Sequence, residues 1–187
     1  MPQIVGGMAR GRHFKLPPGE VRPATARIKQ ALFDYLNPII SNSTALDLYC
    51  GSGGLGLEAL SRGAGHAVFV DNSEKILLSA RENTISLGFF DRSHFVQQDV
   101  FRFLAQYKVE SGPTFDLIFA APPYRIAEPG RLLRALHESH ALEPGGVVCL
   151  EYAKHNEPPD PTIEHFFLDR RRVYGETVVD VWDYKVG

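Results

Sequence analysis

The chain has 187 residues, a length that suits one domain with a short appendage, and its 44% apolar content is that of an ordinary globular core. No apolar run approaches the ~20 residues of a membrane span. The opening stretch Met1-Pro2-Gln3-Ile4-Val5-Gly6-Gly7-Met8 lacks the apolar segment of a secretory signal, so the cytoplasm is the expected location. The net charge of −2 is unevenly spread: Arg10, Arg12, Lys15, Arg22, Arg27 and Lys29 face only Glu20 in residues 1–31, which makes that segment +5 and the remainder −7. A basic arm on an acidic body points to a polyanionic partner touched at one end, with a merely solvated surface as the alternative.

Along the chain, a Gly- and Pro-rich extended segment precedes a helix from about Thr25 to Leu36. Its apolar stripe is Ile28, Ala31, Leu32 and Tyr35, widened by Phe33 and Leu36, so the helix should pack on the body. Residues 1–41 therefore read as a basic extension, and 42–187 as the main domain. Thr44–Tyr49 reads as a buried strand, Gly54–Arg62 as a helix and His66–Asp71 as the next strand. A helix follows from Ser73, a good N-cap, to about Ser86, with the stripe Ile76, Leu77, Ala80, Ile85 and Leu87 and with Gly88 as its terminator. His94–Gln98 is a third strand, Val100–Tyr107 a short helix, Phe115–Ala120 a fourth strand, Gly130–Ala141 a helix and Gly146–Tyr152 a fifth strand. Strands alternating with helices imply βαβ units and a parallel sheet. Glu164–Val173 and Thr177–Tyr184 break the rhythm and read as an antiparallel hairpin closing one sheet edge.

The segment Gly51-Ser52-Gly53-Gly54-Leu55-Gly56 fits GxGxxG, between a predicted strand and a predicted helix. Glycines let backbone approach a ligand, and a helix N-terminus offers free N–H groups. Asp71 closes the next strand about 20 residues on, the place of a ribose-binding carboxylate. These features suit NAD as well as S-adenosylmethionine (SAM). Two others lean toward SAM: Asp47, placed to face an amino-acid ammonium, and Asp99, placed to meet an adenine amino group. Each aspartate taken singly reads as a helix N-cap. Three carboxylates at three successive strand ends, with the glycine loop, read as a site.

At this point the chain resembles a family, the bacterial guanine-N2 methyltransferases of 16S ribosomal RNA (the small-subunit methyltransferase D type). The resemblance rests on Gly7-Met8-Ala9-Arg10-Gly11-Arg12, on Arg22-Pro23-Ala24-Thr25 with Arg27–Phe33, on Leu46–Ala64, on Gln98-Asp99-Val100 and on Phe115–Tyr124. It implies a Rossmann-like, doubly wound class I SAM-dependent methyltransferase with a seven-stranded mixed sheet and a small N-terminal extension. It implies cofactor contacts from Asp47, Gly51, Gly53, Asp71 and Asp99, with Ser52, Asn72 and Val100 beside them. It implies RNA contacts in the basic segment, at Arg10, Arg12, Lys15, Arg22 and Thr25. The expected partner is ribosomal RNA or a small-subunit assembly intermediate, met by a monomer away from any membrane.

The reacting centre falls on Ala121, Pro122, Pro123 and Tyr124. The family carries Asp, or Asn in relatives, where this chain has Ala121. That side chain accepts a hydrogen bond from the exocyclic amine being methylated and aims its lone pair. Backbone carbonyls at Ala121 and Pro122 remain as acceptors, and Tyr124 remains to stack on a splayed base. Asp116, at the opposite end of its strand, does not compensate. Two other readings stay open: a SAM-binding RNA-interaction protein with weak or lost catalysis, and an amino-methyltransferase acting on DNA or protein. Cys50 and Cys149, far apart, read as reduced thiols rather than a disulfide or metal pair. His137 and His140 lack a third ligand and read as a solvated helix face, and no metal is expected. Arg170-Arg171-Arg172 reads as surface, with RNA contact as the other option.

Overall fold

The computed structural model describes residues 1–17 and 24–186. Arg22, expected at the RNA face, lies outside them. Thr25 caps the first helix, α1 (Ala26–Ile40), its Oγ1 accepting from Ile28 N at 3.3 Å. The helix runs four residues beyond the expected end at Leu36, through Pro38. A proline disfavours helix at the residue before it, but here burial decides: Ile40 is in the core, and Ser43 Oγ donates to its carbonyl at 2.7 Å. Ala31, expected in the apolar stripe, faces outward, while Lys29 is buried in its stead.

Then follow β1 (Thr44–Leu48), α2 (Gly54–Ser61), β2 (His66–Asp71), α3 (Glu74–Leu87), β3 (Ser93–Gln97), α4 (Val100–Gln106), β4 (Phe115–Ala120), α5 (Pro129–Ser139), β5 (Leu142–Ala153), β6 (Phe166–Tyr174) and β7 (Thr177–Tyr184). Ser73 Oγ caps α3 by accepting from Ile76 N, and Gly88 ends it at φ 81°, a conformation glycine takes without Cβ strain. Ile85 lies outside the buried stripe of Leu77, Ala80 and Leu87 and is exposed.

The strands form one sheet in the order β3-β2-β1-β4-β5-β7-β6. β1 to β5 are parallel, and β7 runs antiparallel to both its neighbours. The terminal hairpin thus joins one edge as expected, with its second strand innermost. Side-chain alternation divides the sheet into two cores. Ala45, Phe69, Phe119 and Cys149 meet α1, α2 and α3 on one face. Leu46, Val70, Ile118 and Leu150 meet α4 and α5 on the other. This is the doubly wound mixed sheet expected from the sequence. The strand order reverses at β1, which lies between β2 and β4, so a crevice opens beyond the carboxyl ends of β1 and β4.

The N-terminal segment is built into the first of these cores. Ile4, Ala9 and Phe14 are buried, and Gln3 bridges His13 in antiparallel fashion. Ser61 Oγ donates to Gly6 O at 2.6 Å and accepts from Ala9 N at 3.0 Å. Lys29 does not join a basic surface: it donates to Gln3 O at 2.6 Å and sits 3.7 Å from the buried Glu58 carboxylate. Its desolvation lowers its pKa, with Glu58 opposing the shift.

Candidate active site

Beyond the carboxyl ends of β1, β2 and β4 lies a cleft of about 470 Å³, within the roughly 300–1,000 Å³ of small-molecule sites. The sequence accounts for its shape from the backbone up. After β1 the chain turns through Tyr49 at φ 56°, Gly51 at φ 55° and Gly53 at φ 86°, then opens α2 at Gly54. A tyrosine with positive φ is uncommon and marks a backbone held by its surroundings. Burial raises the Tyr49 pKa to about 12, chiefly by desolvation, with Asp99 adding to it.

Asp47 and Asp71 hold this turn, and Asp99 stands beyond it. Asp47 Oδ2 accepts from Gly56 N at 2.8 Å. Asp71 Oδ2 accepts from Gly51 N at 3.2 Å, and its Oδ1 accepts from Ser73 N at 3.0 Å. Asp99 Oδ1 caps α4 by accepting from Arg102 N at 3.0 Å. The capping role open to each aspartate singly is therefore real for Asp99. All three also line the cleft, together with Gly51, Ser52, Asn72 and Val100. Gly53 does not line it; its left-handed backbone aims the loop, and its amide donates to Cys50 O at 2.8 Å. Asn83, on α3, braces the loop from behind by donating to Ser52 O at 3.0 Å.

Ala121, Pro122, Pro123 and Tyr124 form the facing wall of the cleft. The loop is fixed at its tyrosine. Tyr124 Oη and Thr177 Oγ1 are 2.7 Å apart, and Asn156 Nδ2 donates to Tyr124 O at 2.9 Å. Asp116 is at the far end of β4, where Oδ2 accepts from Thr44 N at 2.7 Å, and it takes no part in the cleft.

Sequence reasoning missed several lining residues: Phe14, Tyr49, Phe101, Arg131 and Glu151 among them. Phe14 lies against Gly54, where an added Cβ would sit 3.4 Å from its ring. Arg131 stacks on Phe101 at 4.0 Å and pairs with Glu128 at 3.1 Å. Glu151 ends the apolar run Val147–Leu150 of β5, and an acid in that position was its available signal. Burial raises its pKa to about 7.

Of the expected RNA residues, Arg10, Arg12, Lys15 and Thr25 are described, and these four fall outside the cleft. Arg10 and Lys15 are exposed on the N-terminal segment. Arg12 donates to the carbonyls of Leu87, at 3.2 Å, and Ser86, closing the C-terminal end of α3. Thr25 is the α1 cap. The Arg170–Arg172 run is divided: Arg170 stacks over Tyr35 at 3.9 Å, while Arg171 forms a two-point pair with the buried Asp180 at 2.7 Å from both Nε and Nη2. His137 is partly buried rather than solvated, stacked on His165 at 4.5 Å with Nδ1 2.9 Å from Tyr184 Oη. Among the described residues no group of three or more potential ligands is placed to hold a metal ion. Cys50 and Cys149 are both buried.

The donor set suits SAM. A carboxylate offers about four acceptor positions; Asp99 uses one internally and Asp71 two, which leaves capacity for ligand hydroxyl and amino groups. Ile76, Val100 and Phe101 supply apolar surface for a base.

Comparison with known proteins agrees with this architecture. A Bacillus subtilis protein, YlbH, is 34% identical over 96% of this chain and 97% of its own length. The ribosomal RNA small subunit methyltransferase D of Escherichia coli is 31% identical over 93% of this chain and 85% of its own. Among solved structures, yhhF of Escherichia coli superposes with a TM-score of 0.88 at 28% identity, covering 100% of this chain and 99% of that one. An RNA methyltransferase from Salinibacter ruber, solved with S-adenosyl-L-homocysteine (SAH), shares the fold with a TM-score of 0.66 at 16% identity, over 89% of this chain and 95% of its own. With residues 2–183 matched by its family model, the chain belongs to the conserved hypothetical protein 95 family and has the fold of a class I SAM-dependent methyltransferase.

Proposed function

We propose that this chain transfers a methyl group from SAM to the exocyclic N2 of a guanine in small-subunit ribosomal RNA. The observation that carries this reading is the single cleft in which the glycine loop, Asp71 and Asp99 face the Ala121–Tyr124 wall across the β1/β4 switch point. The names of the relatives support ribosomal RNA as the substrate.

SAM, when bound, supplies an electrophilic methyl group on a sulfonium. The chain's residues bind and orient. Asp47 and the Gly51–Gly54 turn take the amino-acid end, Asp71 and Asn72 the ribose, and Asp99 with Val100 the adenine. Tyr124 is held at both its hydroxyl and its carbonyl, so its ring offers a fixed stacking face to a flipped base. Arg10 and Lys15 supply phosphate contacts that position the RNA without reading its sequence.

The test is nucleoside mass spectrometry of undermodified 16S RNA, free and in small-subunit particles, after incubation with the purified protein and labelled SAM. N2-methylguanosine is the expected product. RNA binding without methyl transfer, or transfer to DNA or protein alone, would sink the reading.

A further inference from the structure

Phe119 of β4 pairs with Cys149 of β5, and Ala120 with Leu150. One residue beyond these positions stand Ala121 and Glu151. By strand alternation both belong to the face of Phe119 and Cys149, the face that also carries Asp47. Both line the cleft. Ala121 offers the cleft no polar side chain, and the neighbouring strand brings a carboxylate to the same side. Glutamate is one methylene longer than aspartate, which offsets part of the roughly 4.8 Å between adjacent strands.

Glu151 has no other evident work. Among the described residues it makes no hydrogen bond and no ion pair, although Lys29, Asp47, Tyr49, Asp71, Asp99, Tyr124, Glu128 and Arg131 share the cleft with it. On its other flank it pairs in the ladder with Val179, which brings no charge. Leaving a carboxyl group largely buried without a partner is unfavourable. Such a group in a cleft has the character of one whose partner arrives with the substrate.

Resting on the amine-methylation reading above, we propose that Glu151 is a catalytic residue whose carboxylate accepts the hydrogen bond, and then the proton, of the substrate's exocyclic amine. In the transfer the amine lone pair forms the new N–C bond. The methyl–sulfur bond breaks with its electron pair kept by sulfur, which loses its positive charge. The proton lost from the amine goes to a Glu151 carboxylate oxygen and from there to solvent. A base that titrates near neutrality is matched to that task, and burial places Glu151 at about 7.

The test compares wild type with Glu151→Gln, which is close to isosteric and keeps one oxygen acceptor. Three measurements are made on the full chain: single-turnover methylation of undermodified 16S RNA, SAH affinity by calorimetry, and the Glu151 carboxyl titration by carbon-13 NMR with SAH alone and with SAH plus RNA. The expected rate loss is on the order of 10²–10³-fold, with SAH affinity unchanged. The carboxyl pKa of the wild type should fall when RNA joins SAH, because a donor amine favours the ionised form. A Glu151→Gln protein as fast as wild type overturns the proposal and leaves the ribosomal RNA reading standing. So does a loss confined to SAH affinity, or a carboxyl titration indifferent to RNA. A wild type that transfers no methyl to RNA removes both.

Discussion

Asp47 Oδ2 and the amide of Gly56 are 2.8 Å apart, and they close the glycine turn onto the strand that precedes it. The same glycine leaves no room for a side chain: a Cβ would sit 2.4 Å from the Phe69 ring and 3.2 Å from Asp47 Oδ2. Gly56→Ala should therefore overpack the core, at about 1–3 kcal/mol of stability, and move the loop. A lowered urea midpoint together with weakened SAH binding is the expected pair of results. Unchanged SAH affinity would show that the turn does not hold cofactor.

Asp71 joins the glycine loop to the start of α3 through Gly51 N and Ser73 N. Asp71→Ala strands both donors and removes the acceptor assigned to the ribose. SAH affinity should drop by about 1–3 kcal/mol in calorimetry. NAD binding as tight as SAH binding in the wild type would overturn the cofactor assignment.

Glu151 makes stability depend on pH with a definite sign. Its folded pKa, about 7, lies above the ordinary carboxyl value of 4.5. The folded state therefore holds a proton that the unfolded chain has released, and stability from this group falls as pH rises from about 4.5 to about 7. Glu151→Gln has no charge to bury. It should be more stable than wild type at pH 8, by on the order of 1–3 kcal/mol, with the gap narrowing toward pH 5. Thermal melts across that range check the sign; a constant difference would mean the carboxyl titrates normally.

Ala121→Asp sets a second carboxylate beside Glu151. Like charges raise one another's pKa, so the rate profile of this variant should move to higher pH. Placed in the Glu151→Gln protein, the same substitution should recover part of the lost single-turnover rate. Failure to recover any would mean that the two positions do not serve one amine.

Arg10 and Lys15 are exposed, whereas Arg12 is engaged with α3. Replacing Arg10 and Lys15 together by glutamine should flatten the salt dependence of RNA binding, by roughly 0.7 in slope for each lost contact to a single strand, and leave SAH affinity alone. Arg12→Gln should instead lower stability by about 1 kcal/mol, the usual worth of such hydrogen bonds. An unaltered salt slope in the double variant would remove the arm from the interface.

The parallel sheet was legible because buried strands hold short apolar runs, such as Ala67–Val70 and Leu117–Ala120, with turn signals near their ends. The glycine loop and the three aspartates were legible because their spacing places them at successive strand ends. What escaped was whatever depends on contact across the fold. Lys29 counts as surface charge until Glu58 is seen beside it. Arg12 looks like a phosphate contact until the end of α3 arrives under it. Glu151 reads as one more strand residue until the β4/β5 register sets Leu150 opposite Ala120, one position short of Ala121. Charge in a sequence says how many cations there are, not which ones already have partners.

β7 comes after β6 in the chain yet lies between β6 and β5 in the sheet. Asp180, fully buried on β7, takes Arg171 of β6 on one side and Tyr152 of β5, at 2.8 Å, on the other. Truncation before Thr177 would detach β6 as well, since β7 is its sheet neighbour. It would also expose the edge Val147–Ala153 of β5 as an open row of backbone donors and acceptors. Such an edge templates strand addition from other chains, so nonsense or frameshift products ending in this hairpin should accumulate as aggregates rather than as shortened enzymes.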